Sequence, residues 1–272
     1  MTGQTGGNAA QLHEQYSDTS RLKTRIEAHR RFSERADSFV AWVVDGLDVG
    51  SDELVLDAGC GYGACFDELR RRGARIVGID RSAGMVGKAP QPGCTGSLSG
   101  LGVGDLQALP IAAGAMDRVL ANYVLFHVPD VPQALREVRR VLRPGGRAVL
   151  TTNASDSQAA LIELHALAAR AAGYSPRPRR TLRFTELEGP LVAAEFAQCR
   201  LHTWDDAFLF PTVSDALRYY ATGPIDAIAD RPADDSHRAA ITAKMSDLIQ
   251  REIDRHGVLR VPKRAIRFTV RR

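Results

Sequence analysis

The period of the apolar residues changes several times along the chain, and each change marks an element. Residues 21–47 carry two helical patterns, "RLKTRIEAHRRFSERA" and "DSFVAWVVDGL", the second with Phe39, Val43 and Leu47 on one face at i, i+4, i+8 spacing. "ELVLDAG" is a short unbroken apolar run that reads as a buried strand, "ACFDELRRRG" as a helix closed by Gly73, and "RIVGID" as the next strand. Strand, helix and strand in that order form a βαβ unit, which imposes parallel pairing and a right-handed crossover. The segment from Lys88 to Gly104 is rich in Gly, Pro and Ser, so the third strand, near "LGVGD", is weakly marked. "MDRVLANYVL" places a strand around Met116 to Ala121. In "DVPQALREVRRVL", Asp130 is expected to cap a helix, Gln133 to return the bond, and Leu135, Val138 and Leu142 to form its apolar face. "RPGG" stops that helix and "RAVLTT" is the next strand.

The alternation over residues 51–152 predicts an α/β fold with a doubly wound sheet, whose ligands bind outside the carboxyl ends of the strands. Beyond Asn153 the order changes. A helix near "SQAALIELHALAARAAG" leads into the Pro/Arg segment "YSPRPRR", then a helix near "TELEGPLVAAEF" and a strand within "CRLHTWDDAFLF". Helical stretches at "SDALRYYATG" and "SHRAAITAKMSDLIQREIDRHG" precede a last alternating segment in which Ile266, Phe268 and Val270 share a face. The expected organisation is therefore a flexible tail at 1–20, N-terminal helices at 21–50, an α/β core at 51–213 with 257–272, and a helical insertion at 214–256 before the last strand, acting as a substrate lid.

Composition narrows the class. The 272 residues, 44% hydrophobic and 25% charged, suit a globular chain, and no segment approaches the roughly 20 consecutive apolar residues of a membrane span. "MTGQTGGNAAQ" lacks the charged-then-apolar order of a secretory signal, which leads us to expect a cytoplasmic location. Cys60, Cys65, Cys94 and Cys199 lack the short paired spacing of a zinc site, so no metal is expected. The net charge of +4 permits nucleic-acid binding, but "LRRRG", "RPRR" and Arg271-Arg272 are scattered clusters rather than one basic stripe, which disfavours it.

The densest chemistry lies in "LVLDAGCGYG". Gly59, Gly61 and Ala64 satisfy the dinucleotide pattern G-x-G-x-x-G/A, with Asp80 placed where a ribose-binding acid belongs. Asp57, immediately before the turn, argues otherwise: a carboxylate there repels a pyrophosphate and attracts a ligand's ammonium group.

Taken in order, "LDAGCGYG", the acid closing "IVGID", "GDLQALP", "MDRVLANYVLFHV" and "LREVRRVLRPGGRAVLTT" resemble the class I S-adenosylmethionine-dependent methyltransferases, nearest to the small-molecule group that includes the ubiquinone and menaquinone biosynthesis enzymes. The resemblance covers about residues 51–152. It implies a Rossmann-like, seven-stranded, mostly parallel sheet with helices on both faces, S-adenosyl-L-methionine as cofactor and a small-molecule methyl acceptor. It also implies roles: Gly59, Gly61 and Gly63 let the backbone approach the cofactor, and Asp57 lies near its ammonium. Asp80 accepts both ribose hydroxyls, Arg81 and Met85 flank the adenine, Asp105 accepts from the adenine amino group beside a backbone donor at Leu106, and Asn122 sits near the methionine end.

A sulfonium methyl is already electrophilic, so transfer is an in-line displacement in which positioning can supply up to roughly 7–11 kcal/mol. A base helps only where the nucleophile must lose a proton. His127 is the candidate base and Tyr123 the candidate for orienting the acceptor; the plainer alternatives are a histidine that shapes the loop and a tyrosine that packs. His29 and Arg30 could close over the cofactor carboxylate, or form a solvated helix face. Trp204, Phe208, Phe210, Tyr219 and Tyr220 offer aromatic surface for an apolar or ring-containing acceptor, against the alternative that they are core. Competing classes are a nucleic-acid methyltransferase and a non-catalytic S-adenosylmethionine-binding protein. The acceptor, the attacking atom and the oligomeric state are not encoded in any motif.

Overall fold

The computed structural model describes residues 19–90, 98–178, 182–229 and 231–272. Among them, the chain runs α1 (Thr19–Phe32), α2 (Phe39–Asp45), β1 (Leu54–Ala58), α3 (Phe66–Arg71), β2 (Arg75–Asp80), α4 (Ala83–Val86), β3 (Leu98–Val103) and β4 (Met116–Asn122). It continues through α5 (Val131–Val141), β5 (Leu142–Asn153), α6 (Ala159–Ala171), α7 (Gly189–Glu195), β6 (Gln198–Phe210), α8 (Val213–Tyr220), α9 (His237–His256) and β7 (Leu259–Arg271). The seven strands form one sheet in the order β3-β2-β1-β4-β5-β7-β6. The pairs from β3 through β5 are parallel and β7 is antiparallel to β5. The expected Rossmann-like architecture is therefore present, and its order reverses between β1 and β4, where an open α/β sheet leaves a crevice for ligands.

Two compact units divide the chain, one of residues 37–155, 182–204 and 265–272 and the other of residues 1–36, 156–181 and 205–264. The first is the sheet unit. Its core pairs apolar strand residues such as Leu56, Val119 and Leu150 with Leu135, Val138 and Val141 of α5, while Val43, Val44 and Leu47 join Phe66, Leu69 and Ile76. Ile266, Phe268 and Val270 are all buried, as their alternation predicts.

The second unit has its own core, in which Ile241, Met245 and Ile249 of α9 join Leu161, Ala168 and Ala169 of α6. This boundary differs from the expected one. Residues 214–256 do not stand alone as an insertion, because α9 presents an apolar stripe at i, i+4, i+8 that α6 covers, so residues 156–181 belong with it. The N-terminal helices also divide, α1 falling in the second unit and α2 in the sheet unit. Of the tail expected at 1–20, residues 1–18 lie outside the described residues, as does Cys94.

Local departures have local causes. Asp130 caps α5 by accepting from Gln133 N–H at 3.0 Å, but Gln133 does not return the bond. Its side chain donates to Gln107 O at 3.0 Å, and Gln107 Oε1 in turn accepts from Asp130 N–H, so the cap is stitched to the loop after β3. The stop at "RPGG" is a strand rather than a turn. β5 starts at Leu142, and a register shift between Met116 and Arg118 absorbs residues 143–146, with Gly145 at φ +76°. Among the described residues no helix is long and apolar enough to cross a membrane.

Candidate active site at the carboxyl edge of the sheet

β1 ends in Asp57 and Ala58 and then turns sharply. Gly59 and Cys60 both donate backbone N–H to Ile79 O, at 2.7 and 3.1 Å, and Gly61 N–H donates to Asp80 Oδ2 at 2.8 Å. Gly59, Gly61 and Gly63 all have positive φ (+85°, +54° and +82°), a region other residues enter at a cost. They are not equivalent. A Cβ on Gly59 would lie 2.5 Å from Val124 and one on Gly63 2.7 Å from the Phe66 ring, whereas one on Gly61 would meet only Met85 Cε at 3.4 Å. Gly59 and Gly63 are thus required by packing as well as φ, whereas Gly61 is the least crowded of the three.

Asp57 is the anomaly of the site. It is 2% exposed and its Oδ1 has no hydrogen-bond partner. Burial, reinforced by the charge of Asp80, raises its pKa to about 7. The thiols of Cys60 and Cys65 are pushed up by burial and then by the Asp57 charge, so this end of β1 is a region of uncompensated negative potential. An orphaned buried carboxylate of this kind is costly unless something pairs with it. A cationic ligand group meets that need; a pyrophosphate does not.

Asp80 closes β2 and accepts Ser82 N–H on Oδ1 at 2.8 Å while Oδ2 holds Gly61. Each carboxylate oxygen keeps a further lone pair for ligand hydroxyls. Met85 is half-buried beside Gly61, and Arg81 is exposed. The loop after β3 returns to the same place through Gly104 N–H, which donates to Asp80 O at 3.0 Å. Asp105, next in sequence, uses Oδ1 to hold Gln107 N–H at 2.9 Å, and Leu106 is buried. Asn122 ends β4, where its Oδ1 accepts from Thr151 Oγ1 at 2.6 Å and its Nδ2 reaches Cys65 Sγ at 3.7 Å.

Tyr123 and His127 follow in the β4 loop. Tyr123 has φ +54° and donates its backbone N–H to Thr151 Oγ1 at 3.0 Å. His127 closes a 3-10 turn, its ring 4.3 Å from that of Phe126. The structure thus draws together Asp57, Gly61, Asp80 and Met85, reaches Asn122 through Cys65, and sets Tyr123 and His127 in an aromatic row. Phe39, 5.6 Å from Tyr123, belongs to that row and was not identified from sequence, where it read as one more apolar helix position.

Other expectations are corrected. Phe208, Phe210 and Tyr219 stack on one another with centroids 4.6 to 5.7 Å apart and, with Tyr220, are buried in the core of the second unit rather than offered to an acceptor. His29, in that unit, packs its ring edge-on to Phe208 and contacts Lys263 Nζ at 3.3 Å. Asp226, Asp235 and His237 lie close enough to share a cation, but Arg231 and Arg238 already pair with both carboxylates, so the group is an ion-pair network.

Residues 56–150 match the family model described as "Methyltransferase domain". Over that span the chain carries a methyltransferase domain. It is 38% identical over 109 residues to a demethylmenaquinone methyltransferase of Thermobifida fusca, covering 39% of this chain and 46% of that protein. To a malonyl-[acyl-carrier protein] O-methyltransferase of Serratia marcescens it is 34% identical over 136 residues, 46% of this chain and 52% of that one. The chain spans about half the length, or less, of the curated relatives it matches. The fold is shared with a putative methyltransferase from Bacillus halodurans (TM-score 0.58, 17% identity, 86% of this chain and 99% of that one). S-adenosylmethionine is the methyl donor of this family, and the matched span takes in the glycine turn of residues 57–63.

Proposed function

We propose that the whole chain transfers a methyl group from S-adenosylmethionine to an O, N or C atom of a small organic acceptor, in cofactor or secondary metabolism. The observation that carries this reading is Asp57: a buried carboxylate with an oxygen lacking a hydrogen-bond partner, beside a glycine turn, repelled by the charge of Asp80. It would hold the cofactor ammonium, while Gly61 supplies close backbone approach between the packing glycines Gly59 and Gly63. Asp80 would accept the ribose hydroxyls, Arg81 and Met85 would flank the adenine, and Asp105 with the Leu106 backbone would read its edge. Asn122 would face the methionine end, held in place by Thr151.

When bound, the cofactor supplies an electrophilic methyl. The chain's own task is then to orient the acceptor and exclude water, which Tyr123 would serve, and to take a proton where the acceptor must lose one, which His127 would serve. Cys60, Cys65 and Cys199 are free thiols, which supports action in the reducing cytoplasm.

The test is calorimetric titration of the full chain with S-adenosylmethionine, S-adenosylhomocysteine and NADPH. Micromolar binding of both adenosyl ligands is expected, with NADPH inert. Asp80→Asn, which keeps the shape of the side chain and an acceptor for one of the two N–H groups of Gly61 and Ser82, should weaken the adenosyl ligands at least tenfold. Preference for NADPH, or no adenosyl binding, would overturn the reading.

A further inference from the structure

Six ring-bearing side chains of the sheet unit form one continuous row. Centroid separations run 5.3 Å from Trp42 to Trp204, 5.8 Å from Trp204 to Phe39, 5.6 Å from Phe39 to Tyr123, 6.3 Å from Tyr123 to Phe126 and 4.3 Å from Phe126 to His127. The two ends of the row differ. At the tryptophan end, the Arg267 guanidinium lies 4.4 Å over Trp42 and donates to the Trp42 carbonyl, and Trp204 is buried. That end is scaffold.

Phe39, Tyr123, Phe126 and His127 are half-buried, as Trp42 is, but among the described residues no such cation lies over Phe39 or Phe126. Tyr123 also holds a left-handed backbone conformation at φ +54°, which a bulky residue adopts only where its surroundings enforce it. The enforcement is visible: its N–H is tied to Thr151 Oγ1, which donates to Asn122 Oδ1. Its neighbour Val124 fills the space beside Gly59. A strained, half-buried ring one residue from the glycine turn is not what simple packing selects, since glycine or asparagine would hold that backbone more easily.

We propose that Phe39 and Tyr123 are specificity-determining residues, a ring wall that seats a flat, ring-containing acceptor beside the methyl-donor site. The inference rests on the methyltransferase reading above. Aromatic pairs favour offset or edge contacts with centroids about 4.5–7 Å apart, and a flat ring added to this half-buried stretch of the row would make contacts of the same kind. A linear acyl chain gains no comparable contact.

Both tryptophans of the chain, Trp42 and Trp204, lie in the row and report on it. The experiment is a titration of the full chain, saturated with S-adenosylhomocysteine, with 1-naphthol as the flat probe and octanoate as the linear one, reading tryptophan emission. A saturable change with naphthol and none with octanoate is expected. Phe39→Leu should weaken the naphthol response about tenfold, and so should Tyr123→Gly, which removes the ring while relieving the backbone. Calorimetry on the same samples should show S-adenosylhomocysteine affinity within about twofold of the parent. No preference for naphthol, or a response in both variants as strong as the parent's while S-adenosylhomocysteine still binds, would overturn the wall and leave the methyltransferase reading intact. Failure of S-adenosylhomocysteine to bind would remove both.

Discussion

Two buried aspartates, Asp57 in the sheet unit and Asp206 in the second unit, show opposite solutions to the same physical problem. Both are nearly inaccessible, at 2% and 5% exposure. Asp206 is fully partnered: Oδ2 accepts from Lys263 Nζ, and Oδ1 accepts from Ala207 N–H at 2.7 Å and Arg35 N–H at 3.2 Å. Burial alone would raise its pKa, but the Lys263 hydrogen bond and charge outweigh that and bring it below the usual carboxylate value. Lys263 in turn donates to Ser33 Oγ at 2.7 Å and lies 4.7 Å over the Phe208 ring. Asp57 has none of this on Oδ1 and is pushed up instead. A satisfied buried charge belongs to the architecture, whereas an unsatisfied one is kept for a partner that arrives later.

The difference should appear first in stability. Asp206→Ala leaves the Lys263 ammonium buried without its counter-charge, and breaking such a pair costs about 3–5 kcal/mol. Denaturant unfolding should show a loss of that size; a loss below about 1 kcal/mol would mean that the pair is solvated. Gly59→Ala should come next, losing about 2–4 kcal/mol from overpacking against Val124 together with the left-handed backbone. Gly61→Ala, whose added methyl would meet only the flexible Met85 side chain, should lose only about 1–2 kcal/mol of stability but a larger share of cofactor affinity. Asp57→Asn should do the reverse of Asp206→Ala. It removes an unpaired buried charge, so the ligand-free protein should melt higher at pH 8, while S-adenosylmethionine affinity falls roughly 10–100-fold with the loss of a charged hydrogen bond. The smallest effect is expected at Asp130→Ala, about 1 kcal/mol for the lost α5 cap, with cofactor binding unchanged.

The same contrast explains what could be read from the sequence. Strand periodicity and the ordered motifs revealed the sheet, because a parallel sheet buried on both faces writes itself as short apolar runs between helices. Asp57 stood out for a local reason, a carboxylate closing an otherwise apolar strand. The division into two units was hidden, since the contact between α6 and α9 joins segments about 80 residues apart and no local pattern records it. The roles of Phe39 and Phe208 were equally hidden. Both are phenylalanines at regular spacing, and only the packing shows one half-buried beside Tyr123 and the other sealed in a core. Gln133 likewise had the right type for a capping box, but the Asp130 N–H it would accept from donates to Gln107 Oε1, and the Gln133 amide donates to the Gln107 carbonyl.

The central claim is that Asp57 is an empty half of a charge pair, and its pH dependence tests that most directly. With a free-protein pKa of about 7 against an ordinary carboxylate value of 3.8, Asp57 is protonated below neutrality in the folded chain and must lose its proton to pair with an ammonium group. Its contribution to the stability of the ligand-free chain is therefore greatest at low pH and is lost as pH rises toward about 7, opposite to the usual paired aspartate. S-adenosylhomocysteine should be titrated calorimetrically from about pH 5.5 to 8.5 into the parent and Asp57→Asn. The account predicts affinity that is flat above pH 7 and falls toward tenfold per pH unit below it in the parent, with no such slope in the variant. Equal slopes in the two proteins, or an unchanged affinity in Asp57→Asn at pH 8, would contradict it.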